Sequence, residues 1–231
     1  SYVALSAGKF CLKDFFDNNK YSNDPRTQFL NWSLMANAGW DYPANVRGYT
    51  MGFIVEYVKP LWTFRFASTL VPREANGPTL DYKISKARSE SFEFERNFTL
   101  YNRPSVLRVL TFFTQADMGN YKKATLDPLV FGPGASDITQ TRKPGRTKFG
   151  FGLNFEQDWN DNVGYFGRTS WNDGKNETWA YTEIDNSASA GIAIRGKSWK
   201  RVKDNFGFAV VTNGISKDHI NYLKSGGTGF I

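Results

Sequence analysis

The chain has 231 residues, 40% hydrophobic, 16% aromatic and 22% charged, with a formal net charge of +7, one cysteine and one histidine. This composition excludes a disordered tail and a disulfide-stapled scaffold, and Cys11 and His219 supply neither a soft zinc-ligand set nor a mechanism needing two histidines. No run approaches the roughly 18 consecutive apolar residues of a membrane helix, and a mean hydropathy of -0.49 is ordinarily that of a soluble protein.

That inference has one loophole. A transmembrane β-barrel alternates lipid-facing apolar residues with polar lumen residues, so its average hydropathy looks soluble. The aromatic content makes the loophole worth testing along the chain.

The sequence begins Ser1-Tyr2-Val3-Ala4, without an initiator methionine or a basic-then-apolar targeting segment, so a signal peptide is expected to have been removed or to lie outside it. A first strand is expected in these residues. The insertion over 10–45 then crowds Phe15, Phe16, Tyr21, Phe29, Trp32, Trp40 and Tyr42 among Asp14, Asp17, Asn18, Asn19, Asp24, Arg26, Asn31 and Asp41. So long a link is functional or disordered, and its aromatics argue against disorder. Within it Asp24 reads as an N-cap, Pro25 as the first helical residue, Phe29, Leu30, Leu34 and Met35 as a helical stripe and Gly39 as the stop. Aromatic faces with Asp, Asn and Arg are what a sugar needs; the other reading makes Phe29, Trp32, Leu34 and Met35 the packing face of a helix.

Period-two alternation dominates the rest of the chain. Over 48–58 the apolar face is Tyr49, Met51, Phe53, Val55 and Tyr57; over 61–71 it is Trp62, Phe64, Phe66 and Leu70, opposed by Thr63, Arg65, Ala67 and Thr69. Over 88–101, Phe92, Phe94, Phe98 and Leu100 oppose Glu93, Glu95, Asn97 and Thr99. Over 148–156, Phe149, Phe151, Leu153 and Phe155 alternate with Gly150, Gly152, Asn154 and Glu156. Further strands are expected at 105–116, 162–171, 175–185, 187–195 and 206–213. This makes roughly ten strands, most of them about ten residues long against the five or six of ordinary globular strands. Short links such as Lys59-Pro60 alternate with long ones such as 121–145. The expected fold is all-β: part of one transmembrane antiparallel β-barrel domain spanning 1–231, with a short helix in a long inward loop over 10–45 that narrows the pore.

The densest basic stretch, Lys197, Lys200, Arg201 and Lys203 around Trp199, lies between two expected strands and reads as a solvated turn rather than a nucleic-acid site. Near the end, His219 lies in the turn-like Ser216-Lys217-Asp218-His219 and reads as a surface residue, so no enzyme is expected. The last residues, Gly229-Phe230-Ile231, come after a glycine-rich turn where a new strand is expected, which suggests a fragment.

On the inferred lumen face Arg65, Arg108, Arg168 and Arg195 accompany Glu56, Glu93, Glu95, Glu156 and Glu183. Two readings stand side by side. Charges facing water in a pore set its field and selectivity. Arg and Glu on neighbouring strands also pair across the wall, at about 0.2 to 1 kcal/mol each.

The stretches Gly8-Lys9-Phe10, Asp14-Phe15-Phe16-Asp17-Asn18-Asn19 and Asp24-Pro25-Arg26-Thr27-Gln28-Phe29-Leu30-Asn31-Trp32 resemble the carbohydrate-selective porins of the OprB type. So do Trp40-Asp41-Tyr42-Pro43, Arg47-Gly48-Tyr49-Thr50, Asn176-Glu177-Thr178-Trp179-Ala180 and Asn213-Gly214-Ile215-Ser216. The resemblance implies a Gram-negative outer-membrane barrel of about sixteen strands, longer than this chain, passing sugars by facilitated diffusion through a constriction rich in arginine and acidic groups. Asp17, Arg26, Asn31 and Trp40 are then expected to shape the constriction, Arg47, Arg65 and Arg168 to line the lumen, and Glu93 and Glu183 to balance their charge. The implied partners are sugars as transported solutes, outer-membrane lipid, and a homo-oligomer or larger membrane assembly; no cofactor, metal or nucleic acid is called for. The alternative function is a non-transporting outer-membrane or surface β-protein that binds glycans or supports a larger assembly, with a plugged lumen.

Overall fold

The computed structural model describes residues 1–126 and 136–229. Among these residues nine strands form a single antiparallel sheet in chain order: β1 (Tyr2–Phe10), β2 (Thr50–Lys59), β3 (Trp62–Thr69), β4 (Arg88–Leu100), β5 (Arg103–Ala116), β6 (Arg146–Asp158), β7 (Val163–Asn172), β8 (Asn186–Arg195) and β9 (Asn205–Gly214). Each pairs with its successor, and among the described residues β1 and β9 are the two edges. Among the described residues no helix is long and apolar enough to cross a membrane, which says nothing of strands.

Strands of eight to fourteen residues suit a bilayer wall, where about 9 to 11 residues span the hydrocarbon. The links divide by end. Those over 60–61, 101–102, 159–162 and 196–204 share one end, and the longer ones over 11–49, 70–87, 117–145 and 173–185 share the other. Residues 127–135 of the long link expected over 121–145, and Phe230 and Ile231, where a new strand is expected, lie outside the described residues.

Alternation sorts the side chains onto two faces. One carries Phe53, Phe64, Phe92, Phe94, Phe149, Phe151, Trp171 and Phe208, all exposed, with cross-strand ring pairs such as Phe66 and Phe92 at 4.8 Å. In a water-soluble sheet this face would need a second layer; here it is bare. The core lies on the other face, where Leu12, Phe16 and Trp40 of the 11–49 link pack on Ile54, Ala67, Leu110 and Phe112 of the wall.

Three expectations are corrected. The helix expected from Asp24 to Gly39 shrinks to one turn, α1 (Trp32–Met35), capped by Asn31, whose side chain accepts from the Ser33 N–H at 2.8 Å. Asp24 instead closes a separate turn by accepting from the Arg26 N–H and the Thr27 hydroxyl, and Phe29 turns to Phe166, 5.7 Å between rings. Contacts with the wall outweigh a helix too short to sustain itself. The strand expected over 175–185 is irregular, because the N–H groups of Trp179, Ala180 and Tyr181 all donate to the Asp41 carboxylate at 2.7 to 3.1 Å rather than to a neighbouring strand. This leaves nine strands among the described residues instead of ten.

The third correction concerns His219. It is buried in a second helical feature, where α2 (Tyr121–Leu126) packs against α3 (Lys217–Lys224). Ser216 caps α3 by accepting from the His219 N–H at 3.1 Å, the imidazole stacks on Tyr121 at 4.1 Å, and its Nδ1 lies 3.3 Å from Asp185. Burial opposes ionisation of Asp185, but the His219 hydrogen bond and the Lys148 charge hold its carboxyl below the usual range. The basic stretch after β8 is a turn, as expected, with Lys200 in the left-handed region at φ 61°.

Candidate functional site

The sheet register builds a row of alternating charge on the covered face. Glu56 on β2 stands opposite Arg65 on β3, Arg65 opposite Glu93 on β4, Glu95 opposite Arg108 on β5, Arg108 opposite Asn154 on β6, and Asn154 opposite Arg168 on β7. Residues opposed on adjacent strands have Cβ atoms about 5 Å apart, so long side chains of opposite sign meet.

Arg65 forks between three carboxylates. Its Nε donates to Glu56 at 2.8 Å, and its Nη1 to Glu93 at 2.8 Å and Glu95 at 3.1 Å. Arg108 Nε donates to Glu95 at 2.8 Å, and its Nη1 lies 3.3 Å from Glu156 without hydrogen-bond alignment. The planar fork, with five donors, lets one arginine join several strands.

The 11–49 link docks onto this row through Asp17. The Asp17 N–H donates to Glu93 at 2.6 Å, while its carboxylate accepts from Arg168 Nε at 3.2 Å, the Asn37 N–H at 2.6 Å and Asn154 Nδ2 at 2.5 Å. Asp17 sits at φ 55°, a left-handed conformation that aspartate tolerates better than most residues. Arg168 also donates to the carbonyls of Leu34 and Asp17, and the Lys20 N–H donates to Glu156 at 2.6 Å. Lys13 donates to the Asp17 carbonyl at 3.2 Å and to Asn23; burial pushes its ammonium down to about 8, against the opposing pull of the Asp17 charge.

Of the residues singled out from sequence, Asp17, Arg65, Glu93 and Arg168 come together here, as do Glu56, Glu95, Arg108 and Glu156. Trp40 is fully buried beneath them, packed against Phe16 and Tyr42, so its ring presents no surface. Asn31 is occupied as a helix cap. Arg26 is exposed in the Asp24 turn, and Arg47 is exposed in a turn whose N–H donates to Asn45. Glu183 lies in the irregular 173–185 link, lining a cavity with Tyr121, Arg142 and Tyr222 at the long-link end. Its expected lumen position rested on a strand that does not form.

Sequence reasoning missed Asn37, Lys13 and Lys148. Lys148 Nζ lies 3.4 Å from Asp41, and both are buried. Lys148 opens a run whose covered-face positions are Gly150, Gly152, Asn154 and Glu156, so alternation alone could have found it. Asn37 has no such signal.

The family model of the carbohydrate-selective porins, OprB family, matches residues 1–229. The chain belongs to the OprB family. Among solved structures, the high-pH structure of Pseudomonas putida OprB matches with a TM-score of 0.72 at 16% identity, over 96% of this chain and 53% of that one. At that identity the likeness is one of fold, and this chain spans about half the length of its structural relative. No curated protein matches. OprB porins are Gram-negative outer-membrane proteins.

Proposed function

We propose that this chain forms the greater part of the wall and the constriction of an outer-membrane porin that passes carbohydrates by passive, facilitated diffusion. The observation that carries the reading is the docking of the 11–49 link, through Asp17, onto a cross-strand row of arginines and carboxylates on the face opposite the bare aromatic one. A pore lined this way offers fixed hydrogen-bond donors and acceptors to sugar hydroxyls. Contacts in such a pore are weak and repeated, because a solute must also leave.

Exposure ranks the candidates. The side chains of Arg65, Glu95 and Glu56 keep 13, 12 and 20% of their surface, whereas those of Glu93, Asp17 and Arg168 keep at most 2%. The first three touch the solute in this reading; Glu93, Asp17 and Arg168 hold the link in place. Asn31 and Arg26, on the link, flank the passage, and Arg47 and Glu183 act at the long-link end. The surrounding partner is outer-membrane lipid against the aromatic face, and closure of the wall requires further strands or further copies.

The test is single-channel recording of the full-length protein in planar bilayers with sugars added. Conducting pores that sugars cross or block are the expected result; absence of pores, or pores indifferent to sugars, sinks the reading. The burial of Asp17, Glu93 and Arg168 favours one other reading, a plugged and non-transporting barrel that binds glycans, and the same recording separates the two.

A further inference from the structure

A cavity of about 230 Å3 lies away from the charged row, between the 20–29 part of the link and the covered face of β7 to β9 at the short-link end. At roughly 30 Å3 per water it has room for about eight waters, the scale of one small polar ring rather than a chain of them.

Two rings are seated on bare wall backbone beside it. A Cβ at Gly164 would overlap the Tyr21 ring, and one at Gly207 would fall 2.9 Å from the Phe29 ring, so glycine at both positions lets the rings lie against the strands. Tyr21 is held by Asp158 and Phe29 by Phe166.

The polar groups beside the rings are under-used. Asp158 is taken by Lys20 at 2.7 Å and Asp161 by Arg103 at 2.7 Å, so among the described residues no carboxylate hydrogen-bonds Arg195, whose Nη1 donates to the Asp161 carbonyl at 3.1 Å. Asn162 Oδ1 is buried without a partner among the described residues. Among the described residues Asn205 makes no side-chain hydrogen bond, and Asn160 accepts from the N–H groups of Asn162 and Val163, leaving its amide donors over. A guanidinium and three amides with spare donors and acceptors, facing a phenyl ring, match a solute with vicinal hydroxyls on one side and CH groups on the other.

We infer that this cavity is a second contact site for a neutral monosaccharide, with Arg195, Asn162 and Asn205 binding hydroxyls and Phe29 backing the ring. The inference rests on the sugar-pore reading in its choice of ligand but uses none of the residues of the charged row. Short links mark the periplasmic end of outer-membrane barrels, so the site stands where a sugar leaves.

The experiment uses the full-length protein in detergent with Cys11→Ser and Thr27→Cys, which puts a thiol at the cavity rim, and reads its rate of modification by a small charged thiosulfonate with and without D-glucose. Glucose is expected to slow modification severalfold, and Asn205→Ala or Arg195→Gln to raise the glucose concentration needed by about tenfold, the equivalent of about 1.4 kcal/mol. Asn205 and Arg195 are exposed, and a β-sheet circular-dichroism spectrum and a thermal unfolding curve like the parent's show that each variant folds. No slowing by glucose, or slowing that both variants leave intact, overturns the site. Protection without sugar passage across bilayers would instead sink the transport reading and leave the site standing.

Discussion

Asp17 and Arg168 lie 151 positions apart in the chain, and their side chains, both nearly sealed from solvent, meet at 3.2 Å. The pair fastens the 11–49 link to β7, and three further hydrogen bonds to the Asp17 carboxylate come from Asn37 and Asn154. Breaking a buried pair by removing one partner leaves an uncompensated charge and costs about 3 to 5 kcal/mol. Asp17→Ala is therefore expected to lower the unfolding free energy of the full-length protein by that amount in detergent titrations. Asp17→Asn with Arg168→Met removes both charges and should recover most of the loss; an equal loss in the double variant would show that the pair is not what fastens the link.

Arg65 bridges three carboxylates on two neighbouring strands. Arg65→Gln removes the positive charge beside the partly exposed Glu56 and Glu95, so the open edge of the row becomes more acidic. The reversal potential of the full-length pore in a KCl gradient should move toward cation preference. An unmoved potential places the row outside the ion path.

Gly164 lies under the ring of Tyr21, where an added methyl would overlap it. The ring cannot yield without releasing Asp158, which it shares with Lys20. Gly164→Ala is expected to loosen the link, so that trypsin cleaves after the exposed Lys20 at least about tenfold faster than in the parent protein. Unchanged cleavage would mean that the wall, not the ring, shifts.

Lys13 carries a pH dependence. Its folded-state pKa is lowered from 10.5 to about 8, chiefly by burial. Below pH 8 both folded and unfolded chains hold the proton, and the folded state bears the cost of a buried charge. Between 8 and 10.5 the unfolded chain holds a proton that the folded chain has lost, so stability rises with pH through that window, by about 3 kcal/mol in all. Lys13→Met should abolish this part of the rise in unfolding experiments at pH 7 and pH 10, and should stabilise the protein at pH 7. A Lys13→Met variant with the parent's pH slope would assign the rise to other groups.

The local pattern of the sheet was legible because a two-faced sheet needs little beyond local rules. A strand with an apolar bare face and a polar covered face must alternate, so Phe149, Phe151, Leu153 and Phe155 could be assigned to one face from the sequence alone, and Arg65, Glu93 and Arg168 to the other. The motifs of the 11–49 link likewise led to the family that the whole-chain match bears out.

Tertiary structure decided what no period could. Residues 175–185 are strand-like in composition, yet their N–H groups go to Asp41, 138 to 140 positions away, and the segment leaves the sheet. Residues 24–39 carry a capped helical pattern, yet Phe29 and Leu34 are drawn onto Phe166, and one turn survives. Trp40 looked like a surface for sugars and is the centre of a core. Alternation is written into each strand by the medium on its two sides, whereas the course of a long link is set by partners more than a hundred residues away, and only the folded chain brings those partners into reach.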